Sequence, residues 1–164
     1  MITAATPVFP NNAVELIATR SQSLDTDLFV VKRPLRESDP AQSVGVFGSQ
    51  WNPTEDSYEM TGYQPSIHEP TLSAYLIGVQ AFVKDMDELN GLATHSVLSK
   101  MIRVMLYRDD SLRVGLRSLS VVMNGSTERT QRFGIRTQRY LSNDLQGVWL
   151  YLSTLEFWLE TETV

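Results

Sequence analysis

The sequence predicts an α+β fold: a mainly antiparallel or mixed β-sheet with helices packed on one face. Three observations predict it. Several long stretches alternate apolar and polar residues with period two, the pattern of strands. Fewer stretches carry helical spacing, and they do not alternate regularly with the strands as βαβ units would. Asn124-Gly125 separates two strand-like runs, and a type I′ hairpin turn needs φ > 0 at both central residues, which Asn and Gly tolerate. With 164 residues the chain is expected to form a single domain, residues 1–164. It carries a long proline-rich loop excursion, or hairpin insertion, over 34–70.

The elements can be assigned from the N-terminus onward. Asn11 or Asn12 is the expected N-cap of a first helix, because its side-chain oxygen can accept from amides that lack helical partners. Ala13, Val14, Leu16, Ile17 and Leu24 form the apolar side of that helix. Leu28-Phe29-Val30-Val31 reads as a strand that ends before Pro34. All seven prolines lie at or before residue 70, and five of them punctuate 34–70. Proline fixes φ and lacks an N–H, so no long helix or central strand is expected there. The same segment holds Val44, Val46, Phe47, Trp51, Tyr58 and Tyr63. It is therefore expected to reach from the core toward a partner, with Val44–Gly48 and Tyr58–Met60 pairing as a short hairpin.

Thr71 to Lys84 reads as a long strand. Tyr75, Ile77, Val79, Ala81 and Val83 line one face, and Leu72, Ala74, Leu76 and Phe82 the other, as in a central strand covered on both sides. Asp85 is the expected N-cap of the main helix, with Glu88 at capping-box spacing. Met86, Leu89, Ala93, Val97, Met101, Val104 and Met105 form its apolar stripe. Asp109-Asp110-Ser111 breaks and recaps, giving a short helix around Leu112–Leu116. Leu119 to Met123 is a strand, Asn124-Gly125 turns, and Thr130 to Leu141 alternates. In that strand Phe133 and Ile135 face one way, and Arg132, Arg136 and Gln138 the other. Ser142-Asn143-Asp144 is the next expected turn. Val148 to Leu159 is the last strand.

Charge is unevenly distributed. Residues 1–99 carry a net −7, residues 100–139 a net +6 and residues 140–164 a net −4, within a total of −5. An acidic chain has no global field to recruit nucleic acid, but blocks of opposite sign suit contacts between copies. The chain has no cysteine, which excludes disulfides, a thiol nucleophile and thiolate metal sites. No run approaches the roughly 20 apolar residues of a membrane span, and Met1–Pro7 has no signal-peptide pattern.

No pattern carries chemistry, so catalytic, cofactor-binding and metal residues are all expected to be absent. Asp25/Asp27 and Glu55/Asp56 stand without a convergent pocket, and Asp85/Asp87 are helix-start residues. His95 is expected within the main helix as a residue at the boundary of core and surface, and it cannot form a nucleophile–base pair with Ser96, which diverges by about 100° around the axis. His68 lacks partner ligands. Asn124-Gly125-Ser126 matches the glycosylation pattern, but the hairpin accounts for it. The candidate functional residues are interface residues: Trp51, Tyr58 and Tyr63 as aromatic anchors, and Arg129, Arg132, Arg136 and Arg139 along one strand. Those arginines suit carboxylates on a neighbouring strand or subunit, with Glu156, Glu160 and Glu162 on the strand expected beside them. At least one of Arg132 and Arg136 is expected to pair with a carboxylate of an adjacent subunit.

Six stretches carry a likeness: Glu69-Pro70-Thr71-Leu72, Gln80-Ala81-Phe82-Val83-Lys84-Asp85, His95-Ser96-Val97-Leu98, Leu106-Tyr107-Arg108-Asp109, Ser126-Thr127-Glu128-Arg129 and Leu152-Ser153-Thr154-Leu155-Glu156-Phe157-Trp158-Leu159. Through them residues from about 69 to 162 resemble the tail terminator proteins of long-tailed (siphovirus) phages, particularly those infecting actinobacteria. The resemblance implies a ring-forming structural protein, usually a hexamer, with no enzyme activity and no cofactor. Such a ring caps the tail tube built by the major tail protein and joins it to the head–tail connector or stopper in the neck of the virion. Genome DNA passes through its lumen without specific binding, no membrane is involved, and assembly takes place in the host cytoplasm. The competing expectations are another head–tail joining component, such as a stopper, connector or tail-completion protein, and, from a different class, a small hydrolase with an unrecognised site.

Overall fold

The structure, a computed structural model, describes residues 8–51 and 71–164. Its elements are α1 (Asn11–Gln22), β1 (Phe29–Val31), β2 (Gln42–Trp51), β3 (Thr71–Asp85), α2 (Glu88–Arg108), α3 (Asp110–Arg117), β4 (Ser120–Met123), β5 (Ser126–Leu145) and β6 (Val148–Thr163). The strands form one six-stranded sheet in the order β1-β2-β3-β6-β5-β4. Only β1–β2 is parallel; every other pair is antiparallel. The fold is α+β, with the described helices packed on one face of a mixed sheet.

That face is built by period-two alternation. Val44 and Val46 of β2, the odd-numbered residues 75–83 of β3, and Leu155, Phe157 and Leu159 of β6 point into one core with Ala13, Val14 and Ile17 of α1, Leu98, Ile102, Met105 and Leu106 of α2, and Leu112 and Leu116 of α3. The expected central, two-sided character of β3 holds: it lies between β2 and β6, and Ala74 and Phe82 on its other face are buried too.

Four expectations change. The proline-rich segment is not all excursion. Gln42–Trp51 lies inside the sheet between β1 and β3, because Pro40 and Pro53 flank it and leave ten residues free to donate to the ladder. The expected partner of Val44–Gly48, Tyr58–Met60, lies outside the described residues; the strands that pair with it are β1 and β3. Second, α1 has no side-chain cap. Pro10 takes that position, the Asn12 and Val14 amides donate to the Val8 and Pro10 carbonyls, and Asn12 Oδ1 accepts from the Ala13 amide.

Third, α2 starts two residues later than expected. Asp85 still belongs to β3, opposite Trp149, and its carboxylate accepts from the Asp87 amide. Asp87 is the N-cap, accepting from the Asn90 amide at 2.8 Å. Fourth, the last hairpin turns at Gln146-Gly147, not at residues 142–144. Both residues have positive φ, 52° and 84°, matching 52° and 79° at Asn124-Gly125. Asp144 supports this turn by accepting from the Gly147 amide.

Asp109 joins two helices. It caps α3 by accepting from the Leu112 amide at 3.0 Å, and it accepts from Arg20 Nε of α1 at 2.8 Å. Burial pushes its carboxyl up, but the backbone donors and Arg20 outweigh burial and hold it below the usual carboxylate range. Asp109→Ala is expected to lower stability by about 1–2 kcal/mol, read from the urea midpoint. Asp109→Ser, which keeps a capping oxygen and loses only the partly exposed ion pair, is expected to lose less.

Candidate functional site

The arginines of β5 and the carboxylates of β6 meet on the sheet face away from the helices. Arg129 lies directly opposite Glu162 and Arg132 opposite Glu160, while Arg139 lies opposite Thr154, two residues along from Glu156. Arg129 Nε donates to Glu162 Oε1 at 2.7 Å. Arg132 grips Glu160 with two donors, its Nη2 at 3.2 Å from Oε1 and its Nε on Oε2. Arg139 Nη2 lies 3.9 Å from Glu156 Oε1. The Arg132 guanidinium also lies 5.8 Å from the Trp158 ring centre, and that ring lies over Gly134, where a Cβ would come within 2.9 Å of it.

Spacing of 3, 4 and 3 residues cannot keep four side chains on one face of a regular strand. The register shifts between Thr130 and Arg132 and between Ile135 and Thr137 resolve this. Each bulge inserts one residue with no residue directly opposite it in the ladder and reverses the facing of the residues beyond it. Arg129, Arg132 and Arg139 thereby share the outer face. Arg136 lies in the second bulge, between Ile135, which faces the core, and Thr137, opposite Glu156. Phe133 and Ile135 do face the core, as alternation predicts.

For Arg129, Arg132 and Arg139 the partner carboxylates within the chain belong to its own β6. These are exposed pairs, worth about 0–1 kcal/mol each, and their effect is to neutralise the face. Trp51 closes β2 opposite Ala74. Tyr58 and Tyr63 lie outside the described residues, as do His68 and Glu55/Asp56. Asp25 is occupied locally, accepting from the Asp27 amide.

Two polar clusters sit on the helix side, and sequence reasoning missed both. Glu128 Oε1 accepts from Tyr75 Oη at 2.6 Å and from Thr161 Oγ1 at 2.7 Å. Burial, reinforced by the Glu128 carboxylate, pushes the Tyr75 hydroxyl well above its usual range. The second is centred on His95, which is buried against the sheet rather than at a boundary. Its Nε2 lies 3.3 Å from Ser99 Oγ, which lies 2.9 Å from Ser153 Oγ of β6. Spacing excludes Ser96, whereas Ser99, one turn on, shares the His95 side of the helix. The rings of Tyr140 and Tyr151 flank the imidazole, so the cluster is a packed bridge from α2 to the sheet.

Burial lowers the His95 pKa, and a backbone hydrogen bond at Ala81 only partly opposes it. The unfolded chain therefore binds the proton first. The contribution of neutral His95 to stability is complete above about pH 6.5 and is lost as pH falls below that toward the folded value. Asp39, held down to about 2 first by its Arg33 hydrogen bonds, loses its contribution only in a lower window, below about pH 4. Urea midpoints measured from pH 7.5 to 5 should fall in the wild type and fall less steeply in His95→Gln. Equal slopes would remove His95 as the cause.

No protein-family model matches the chain, and no curated protein matches it. No described helix is long and apolar enough to cross a membrane.

Proposed function

We propose that the protein is a structural component of a phage virion: a ring-forming tail terminator, most readily a hexamer. It caps the tail tube and joins it to the head connector in the neck. The observation that carries the reading is the layout of residues 71–163. Across the stretch that holds the resembling motifs, one long strand, two helices and three further strands succeed one another, with the helices on one side of the sheet. The other side presents a broad strand surface whose arginines and glutamates cancel one another. Such a surface suits a passage for DNA that must not be gripped, since phosphate binding requires uncompensated cations.

Disabling the gene in the phage tests the reading. Loss of a terminator leaves DNA-filled heads unjoined to tails of excessive length, because nothing stops tube growth. Heads unjoined to tails of normal length would overturn it in favour of a stopper or connector role. Normal particle numbers would overturn any role in joining.

A further inference from the structure

Strand β5 is longer than the strand that covers its outer edge. β4 pairs only with Ser126–Arg129, and beyond Thr130 no described strand lies on that side. The two bulges disturb the edge as far as Thr137, but from there to Leu145 the pairing with β6 runs without a shift. Leu145 and Val148 flank a two-residue turn, so they exchange hydrogen bonds with each other. By alternation the backbones of Leu141 and Asn143 also bond toward β6, and those of Tyr140, Ser142 and Asp144 point outward. Tyr140 is 49% exposed and Leu141 66%. A regular edge of this kind is a template for one more extended strand. Its rim is cationic. Arg113 and Arg117 of α3 lie over the Phe133 ring, 5.3 and 5.9 Å from its centre, and neither has a carboxylate partner among the described residues. Arg136 lies in the second bulge. Arg103 of α2 follows by one turn Ser99, which bonds Ser153 opposite Tyr140.

One stretch of the chain has the opposite character. Residues 52–70 carry Glu55, Asp56, Glu59 and Glu69 and no lysine or arginine. Between Pro53 and Pro65 they hold the strand-like Tyr58-Glu59-Met60, whose expected partner β2 is already paired on both sides. Reach decides which copy supplies it. Trp51 lies opposite Ala74, Ala74 opposite Glu160 and Glu160 opposite Arg132. The segment therefore leaves and returns at that end of the sheet, and an out-and-back path of its length extends about 30 Å. Ser142 of the same chain is about 30 Å further along β5 and about 15 Å across the sheet, out of range of a strand from its own segment. Residues 1–7, which begin beside Tyr75, fall short of Ser142 as well. We propose that residues 54–64 of a second copy of this chain add as a strand to the outer edge of β5 along Tyr140–Asp144, with their carboxylates toward the arginine rim. Backbone bonds hold the strand, and opposite charge selects it over a second β5, whose own arginines would repel. The contact deepens the ring reading and rests on it only for closure. Donor and acceptor surfaces differ, so copies join head to tail, and a ring results where the rotation closes.

The absence of cysteine makes cross-linking of the full chain with a short bismaleimide a direct test. Ser142→Cys alone and Thr61→Cys alone should stay unlinked, while an equal mixture should give a linked dimer. The double variant should give a ladder of linked copies. In sedimentation the wild type should associate at high concentration, and added salt should weaken the association. Ser142→Pro removes one outward N–H from an exposed edge position, which an edge strand tolerates. It should weaken association at least tenfold while the urea midpoint of the monomer stays close to the wild type. Glu59→Lys, which leaves β5 untouched, should weaken association too. A wild type that stays monomeric, association indifferent to both Ser142→Pro and Glu59→Lys, or a double variant that links only within single chains would each overturn the proposal. So would a monomer that retains a double-stranded DNA oligonucleotide and loses it on Arg117→Glu, since the rim would then serve phosphate. Open chains linked through these two positions would uphold the contact and sink the ring. A closed ring whose mixed variants never link would do the reverse.

Discussion

Truncation of Phe157 to alanine is expected to remove about 3–5 kcal/mol of stability, the range for deleting a large buried aromatic side chain. Phe157 is 1% exposed. It lies in register between Ile77 of β3 and Ile135 of β5, with its ring centre 5.7 Å from that of Phe133. Removing the ring opens a cavity where the two most extensive strand pairings of the sheet meet, and strands tied on both sides cannot collapse to fill it. Domains of this size are stable by only about 5–15 kcal/mol, so the variant should unfold at much lower urea concentration by circular dichroism. Phe157→Leu, which keeps most of the volume, should lose markedly less. A loss below about 1 kcal/mol for alanine would mean that the core is not closed around this ring.

Gly45→Val should be the second most damaging substitution, at about 1–3 kcal/mol. The sign is opposite to strand propensity, which favours valine over glycine. A Cβ at this position would lie 2.6 Å from the backbone oxygen of Arg33 and 2.8 Å from Leu35 Cγ. That neighbour cannot step aside cheaply. Arg33 makes two hydrogen bonds to the Asp39 carboxylate, at 2.9 and 2.7 Å, and the Leu35 amide donates to Gln80 Oε1 at 2.8 Å. Gly78→Ala offers the contrast. Its Cβ would meet the tip of the Phe47 ring, a side chain able to turn, so the cost should be smaller. Comparison of urea midpoints orders the two, and a Gly45→Val protein as stable as the wild type would show that the 33–39 segment does not hold its place over β2.

Strand positions were legible because alternation is a direct imprint of a sheet with one face on a core. Tyr75, Ile77, Val79, Ala81 and Val83 could be assigned to one face from spacing alone. Helix α2 defeated the same reasoning. Its spacing marks a real stripe through Leu89, Val97 and Val104, but that stripe is the outward one; Met86 precedes the helix, and Met105 of the expected stripe lies on the buried side. The buried side contains Gly91 and His95, residues that a hydrophobicity pattern does not count. Periodicity reports that a face is apolar, not what covers it.

The charged face was half legible. Opposite charges on neighbouring strands could be foreseen, but a bulge has no dependable residue signature, and two bulges decide which arginines stand together. The β2 strand was hidden by its flanking prolines, which limit the ends of a strand without forbidding its middle. The start of α2 was displaced because Asp85 and Asp87 are equally good caps, and only the length of β3 chooses between them.

The two tight turns also set an order of assembly. β4, β5 and β6 are joined by Asn124-Gly125 and Gln146-Gly147, so their pairings begin between residues a few positions apart. β3 meets β6 only by pairing residues such as Asp85 with Trp149 and Thr71 with Thr163, across the helices. Closing so long a loop is entropically slow, whereas hairpins zip from their turns. The three C-terminal strands are thus expected to form an early platform, with β3 arriving later and β2 after it. Strain in the second turn, as in Gly147→Val where φ is 84°, should then slow refolding more than it speeds unfolding, and stopped-flow traces would display that asymmetry.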